Sequence, residues 1–256
     1  MSALPLGLVS YLNTSPFRYG LRALGHTNWI NEVPSRLLPL LEAGQVEAAV
    51  LPSFDALCHP ELRVLPGSCI CSHGTAHSVR LFSRIALAHV TTIALDSSSR
   101  TSAALVRLIV RLHGGDPLFT TMAPDLASML ETADAALLIG DPCMRADASG
   151  LLVFDLGEEW LHFTGLPFVF ALWAARPEAD RASLSALVEE AKRLGLADLE
   201  RIAAEESERL GLARGDCLSY LRDHMRYDLD ERALGGLERF RQLAVEHGLI
   251  PDAGAA

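Results

Sequence analysis

Leu4-Pro-Leu-Gly-Leu-Val-Ser-Tyr-Leu-Asn-Thr-Ser-Pro16 opens the chain with an apolar run, a polar turn and a proline placed for a helix start. Residues 4–10 are the right length and polarity for a buried strand. Pro16 suits a first helical turn, with Thr14 or Ser15 as cap. Outward from there, a helix is predicted to about Leu24 and stopped by Gly25. Residues 28–33 read as a strand, residues 34–43 as a helix closed by Gly44, and residues 46–52 as a third strand before Ser53 opens another helix. Strand and helix alternating through short links predicts a parallel sheet with right-handed crossovers.

A second series follows. Strand-like stretches centre on residues 67–71 and 78–84, and residues 92–95 form another. Asp96-Ser-Ser-Ser-Arg-Thr-Ser102 is a polar loop leading into an amphipathic helix over residues 103–112. Residues 119–122, 125–131 and 135–139 read as strand, helix and strand, the last ending in Gly140-Asp141-Pro142. Residues 151–156 and 168–174 are strand-like around a polar loop at 157–167. Beyond Arg176 the chain reads as four helices: 181–194, 199–210, 216–226 and 231–247. If the chain enters a second lobe near residue 85 and returns near residue 173, lobe one comprises residues 1–85 plus 174–256 and lobe two residues 86–173. Two crossings make a hinge and a cleft, and ligands bind outside the carboxyl ends of parallel strands. The expected fold class is α/β, with two α/β lobes and a ligand cleft between them.

Composition narrows the function. The 256 residues carry a net charge of −10, which disfavours nucleic acid or an anionic membrane as partner. All basic residues but Lys192 are arginine. The N-terminal stretch lacks the marks of a signal peptide, and no apolar run is long enough to span a membrane. Five unpaired cysteines without metal-ligand spacing fit a reducing compartment. A cytoplasmic location is expected. No nucleophile-elbow, phosphate-loop or dinucleotide motif occurs, and His73 and His77 do not make a metal motif. Three polar loops do stand out, at residues 10–16, at Ser53 and at residues 97–102. Each follows a strand and precedes a helix, where free N–H groups and the positive helix end suit an anion. Ordinary capping explains the same serines and threonines equally well.

Five stretches, in order, carry a resemblance. They are Val9-Ser-Tyr-Leu-Asn-Thr-Ser-Pro-Phe17, Ser78-Val-Arg-Leu-Phe-Ser-Arg84, Leu95-Asp-Ser-Ser-Ser-Arg-Thr-Ser102, Ala136-Leu-Leu-Ile-Gly-Asp-Pro142, and Asp155-Leu-Gly-Glu-Glu-Trp160 with Thr164-Gly-Leu-Pro-Phe-Val-Phe170. Together they resemble the chorismate dehydratase family of the futalosine route to menaquinone. The resemblance implies a type II periplasmic-binding-protein-like fold and a cofactor-independent hydro-lyase without a metal. The implied reaction converts chorismate, a dianion, to 3-[(1-carboxyvinyl)oxy]benzoate and water. It implies Asn13 as the catalytic residue. Ser10, Ser53, Ser78, Arg80, Ser97, Ser98, Thr101, Ser102, Gly140 and Asp141 are the expected substrate-binding set. A monomer or homodimer is expected. A sibling lyase forming 1,4-dihydroxy-6-naphthoate is similar in fold, but carries a histidine where this chain has Gly140-Asp141. A non-catalytic anion-binding protein is the reading from another class.

Overall fold

The computed structural model describes residues 4–251. In chain order the elements are β1 (Leu6–Val9), α1 (Ser15–Ala23), β2 (Trp29–Glu32), α2 (Pro34–Glu42), β3 (Ala48–Pro52), α3 (Ser53–Cys58), β4 (Arg63–Ser72) and β5 (Val79–Ser83). Next come β6 (Thr92–Asp96), α4 (Thr101–Leu112), β7 (Leu118–Met122), α5 (Leu126–Thr132), β8 (Ala135–Ile139), α6 (Gly140–Arg145), β9 (Leu152–Asp155), α7 (Leu156–Thr164) and β10 (Phe168–Ala175). The chain ends with α8 (Arg181–Leu196), α9 (Leu199–Leu210), α10 (Arg214–Ser219), a single π-helical turn at Tyr220–His224, β11 (Met225–Leu229) and α11 (Glu231–Glu246).

These strands form two sheets, ordered β11-β4-β10-β3-β1-β2 and β7-β6-β8-β5-β9. As expected, β1, β2 and β3 run parallel, and so do β6, β7 and β8. The strands that follow each crossing run against them: β10 is antiparallel to β3 and β4, and β5 to β8 and β9. This topology corrects the crossing points. Strand β5, expected in the first lobe, belongs to the second sheet, so the chain leaves the first sheet between Ser72 and Val79. Strand β10, expected to end the second lobe, is a central strand of the first sheet, so the return falls between Thr164 and Phe168. Asp155 fixes this junction, accepting from the backbone N–H of Ala76 at 2.8 Å and of His77 at 2.7 Å.

Two further segments differ from expectation. The polar loop at 157–167 contains helix α7, because Asp155 caps it through the N–H groups of Gly157 and Glu158 and Gly165 ends it in the left-handed region. The expected helix over residues 216–226 stops at Ser219. Met225 and Tyr227 are buried while Arg226 and Asp228 face outward, the alternation of an edge strand.

The core of the first lobe is aromatic. Phe17 meets Trp173 and Tyr227 edge-on at 5.5 and 5.8 Å, while Trp160 of α7 meets Phe168 and Phe240 in a second T-shaped group at the junction of the lobes. Helix α8 crosses α1 with backbone touching backbone. A Cβ built on Gly20 would lie 1.8 Å from the Ala191 carbonyl oxygen, and one on Gly195 would lie 2.0 Å from that of Pro16. The C-terminal helices therefore complete the first lobe, and α11 also reaches α4 of the second.

Candidate active-site cleft

A cleft lies between the sheets. From the first lobe it is lined by Val9, Tyr11, Asn13, Pro34, Pro52, Ile70, Phe170, Ala171 and Met225. From the second it is lined by Ser78, Val79, Ser99, Arg100, Thr101, Ser102, Ile139 and Gly140. Apart from Ser78, which leads into β5, the polar groups stand at strand-to-helix transitions. Asn13 sits in a 3₁₀ turn at Leu12–Thr14 leading into α1, Thr101 and Ser102 start α4, and Gly140 starts α6. First-turn N–H groups have no acceptor within their own helix, so these transitions are anion-binding geometry.

The α4 side is shaped from beneath by Asp96. Its carboxylate accepts from the Ser98 hydroxyl at 2.6 Å, the Ser98 N–H at 2.8 Å and the Ile139 N–H at 3.2 Å. Ser98 is thus spent on the loop, and its oxygen also accepts from the Tyr11 hydroxyl at 3.0 Å. Burial pushes the Tyr11 phenol up to about 12, so it is protonated at neutral pH. The next hydroxyl, that of Ser99, is buried in the cleft wall and meets no partner among the described residues. Such an orphaned donor marks a place for a ligand oxygen. Arg100 is the guanidinium on this wall. Its Nε also pairs with Asp55 at 2.9 Å, tying the second lobe to α3.

On the other polar patch, Ser78 Oγ lies 2.8 Å from the Tyr220 hydroxyl, and Asn13 Oδ1 accepts from the Thr14 hydroxyl at 3.1 Å. Gly140 has φ +62°, and a Cβ there would fall 2.3 Å from the Tyr11 ring. Gly140 has no room for a side chain while Tyr11 stands against it.

Of the expected residues, Asn13, Ser78, Thr101, Ser102 and Gly140 thus line the cleft. Six others lie off it. Ser53 donates to the Val169 carbonyl at 2.6 Å, and Ser10 follows β1, its backbone N–H bonding the Glu32 carbonyl. Ser97 is exposed and Ser98 is held by Asp96. Arg80 lines a different pocket, where it pairs with Asp155 at 3.7 Å and meets His77. Asp141 clamps the lobes rather than facing the cleft: one oxygen accepts from the Leu12 N–H at 2.7 Å and the other from Arg209 at 3.4 Å. Ser99 and Tyr220 were not singled out from sequence. Ser99 is hidden among equivalent neighbours, and Tyr220 acts across a separation of 142 residues.

The clamp makes a prediction. Burial raises the Asp141 carboxyl above the ordinary aspartate range, outweighing Leu12, Arg209 and Arg18. A folded value above the unfolded one gives stability that is present below the unfolded pKa and lost as pH rises through the folded pKa. Asp141→Asn should therefore gain on wild type as pH rises from 4 to 7. Asp141→Ala, which orphans the Leu12 N–H, should lose about 1–3 kcal/mol throughout. Thermal unfolding across this pH range checks both.

No helix among the described residues is long and apolar enough to cross a membrane. Similarity to known proteins agrees with the two-lobed architecture. Over 97% of this chain and 98% of its own, the structure of AF1704 from Archaeoglobus fulgidus superposes with a TM-score of 0.79 at 18% identity. The periplasmic aliphatic sulphonate binding protein SsuA from Escherichia coli superposes with a TM-score of 0.69 at 16% identity, covering 98% of this chain and 89% of that one. These likenesses establish a periplasmic-binding-protein fold. In sequence, a chorismate dehydratase of Thermus thermophilus is 35% identical over 257 residues, covering 93% of each chain. A family profile described as menaquinone biosynthesis matches residues 4–246, which takes in both sheets, every wall of the cleft and the helices that close the first lobe. With fold, cleft and sequence in agreement over nearly its whole length, the chain belongs to the menaquinone-biosynthesis family.

Proposed function

We propose that the protein removes water from chorismate to give 3-[(1-carboxyvinyl)oxy]benzoate, as a lyase of menaquinone biosynthesis. Its near full-length similarity to a chorismate dehydratase supports the substrate. One observation about the cleft supports the chemistry. Its wall offers hydroxyls, one amide, one guanidinium, helix starts and apolar faces, and none of the described residues lining it is a carboxylate, imidazole, amine or thiol.

The reaction breaks a ring C–H bond and the C–O bond on the neighbouring carbon. The C–H electron pair becomes the new ring double bond, the C–O pair leaves with oxygen, and proton and hydroxide combine as water. Aromatisation supplies the driving force, so the site must fix geometry and stabilise the departing oxygen. The phenols of Tyr11 and Tyr220 are both pushed up by burial and serve as neutral groups, not bases. The substrate's own enolpyruvyl carboxylate is then the group placed to take the proton. In this reading Asn13 and Ser78 hold the departing hydroxyl, while Ser99, Thr101, Ser102 and Arg100 hold a carboxylate at the start of α4. The ring lies against Val9, Ile70, Ile139, Phe170 and Met225.

Incubation of the purified protein with chorismate, read by mass spectrometry and ultraviolet absorbance, tests this. The expected product is aromatic, lighter by one water and retains the enolpyruvyl group. Unchanged chorismate that still raises the melting temperature would instead identify a binding protein.

A further inference from the structure

Behind the cleft wall, four polar side chains from distant parts of the sequence form a line. Thr14, wholly buried, donates its hydroxyl to Asn13 Oδ1 at 3.1 Å. The Asn13 amide neighbours the phenol of Tyr220, the first residue of the π-helical turn. The Tyr220 hydroxyl lies 2.8 Å from Ser78 Oγ, and Tyr220 is 2% exposed. Thr14, Asn13, Tyr220 and Ser78 thus alternate between the cleft and its support, since Asn13 and Ser78 line the cleft and Thr14 and Tyr220 stand behind them.

The donor inventory gives this line a direction. An amide oxygen only accepts and an amide nitrogen only donates, while a hydroxyl has a single proton. With its oxygen engaged by Thr14, Asn13 has its NH₂ group to turn to its other neighbours, Tyr220 among them. Tyr220 is buried and Ser78 is the hydrogen-bond partner of its hydroxyl, so its one proton goes to Ser78. Ser78, accepting from Tyr220, has its own proton left for the cleft. The second proton of the Asn13 amide is likewise free to face inward.

We propose that Tyr220 and Thr14 are positioning residues that orient these bonds, so that Ser78 and Asn13 both face the cleft as hydrogen-bond donors. The inference rests on the dehydration reading and deepens it. Two convergent donors suit an oxygen that gains negative charge as its bond to carbon breaks, and they disfavour a role for Ser78 or Asn13 as base. Burial keeps the Tyr220 proton in place, since the phenol is held far from ionisation. Hydrogen bonds in a line polarise one another, so an interruption at Tyr220 weakens the donor that substrate meets at Ser78.

The decisive variant is Tyr220→Phe, which keeps the ring and removes the proton. Its kcat on chorismate should fall about 10–100-fold, less than removal of a donor in direct contact. KM should stay within about threefold of wild type, as expected when an interaction made only in the transition state is lost. In a Ser78→Ala background the same change should have little further effect, because the group through which Tyr220 acts is gone. A purely structural role would add to Ser78→Ala and would appear in the melting temperature instead. Thr14→Val, isosteric and at the opposite end of the line, should lower kcat with KM held, and decides alone if Tyr220→Phe fails to fold. Wild-type turnover with unchanged kcat in the folded variants would overturn this inference only. An inactive wild type would overturn the dehydratase reading and this inference with it.

Discussion

Asn13→Ala is expected to lower kcat for chorismate dehydration by about 10²–10³-fold, the usual consequence of removing one preorganised donor from a developing oxyanion. Asn13 is half-buried in its 3₁₀ turn, so the truncation leaves the first lobe's packing largely intact. The loss falls on the site: the cleft loses the only amide side chain among the described residues lining it, and the Thr14 hydroxyl loses its acceptor. Asn13→Asp sharpens the test. The shape is kept, but a carboxylate oxygen replaces the NH₂ group and turns an accepting face toward the departing oxygen. It should be at least as impaired as the alanine variant. Steady-state kinetics with parallel thermal unfolding separates these outcomes. Full turnover with an unchanged KM in Asn13→Ala would remove Asn13 from the mechanism.

Gly20→Ala carries the largest expected effect on stability. By helix propensity alone the exchange should stabilise, since glycine within a helix costs roughly 0.5–1 kcal/mol relative to alanine. Here the new methyl would meet the Ala191 carbonyl oxygen at 1.8 Å, and the obstacle is backbone, not a movable side-chain end. To admit it, α8 must lift from α1, which disturbs the packing around Phe17. A loss on the order of 4 kcal/mol is expected, a large share of the roughly 5–15 kcal/mol that holds a domain folded. Gly235→Ala on α11 is the control. Its Cβ would come no closer than 3.9 Å to Leu166, so propensity should prevail and stability hold or rise. Urea unfolding of both variants reads the comparison. Equal effects would mean that the crossing of α1 and α8 is looser than this backbone contact implies.

Much of the architecture was legible because local chemistry agreed with tertiary structure. Pro16 and Pro34 at helix starts, Gly25 and Gly44 after helix ends, and apolar runs at β1, β3 and β8 all read directly. The cleft was legible as a set of loops, since strand-to-helix transitions show in sequence. It was not legible as a set of side chains. Three consecutive serines at 97–99 are equivalent in composition, yet one is exposed, one is bound to Asp96 and one faces the cleft. Only the path of the backbone over Asp96 distinguishes them. Arg80 shows the same limit, because strand alternation gives two faces but not which of them meets the cleft. Ser78 and Asp141 needed the partners Tyr220 and Arg209, both contributed by the C-terminal region. The β11 alternation and the Asp155 cap of α7 were present in the sequence and carried more information than the polar composition around them.

The position of β10 has a consequence for how the chain acquires its structure during synthesis. This strand lies between β3 and β4, so those two cannot join through it until residues 168–175 have emerged from the ribosome. The second sheet, by contrast, is built entirely from the contiguous span between Val79 and Asp155. The inserted lobe can therefore complete its own hydrogen bonding while the outer one still waits with two apolar edges unpaired, and domains made as units generally fold in that order. Trp173, carried in on β10, then brings Phe17 an aromatic partner and joins β3 to β4, and the later arrival of β11 and the C-terminal helices completes the lobe and its side of the cleft.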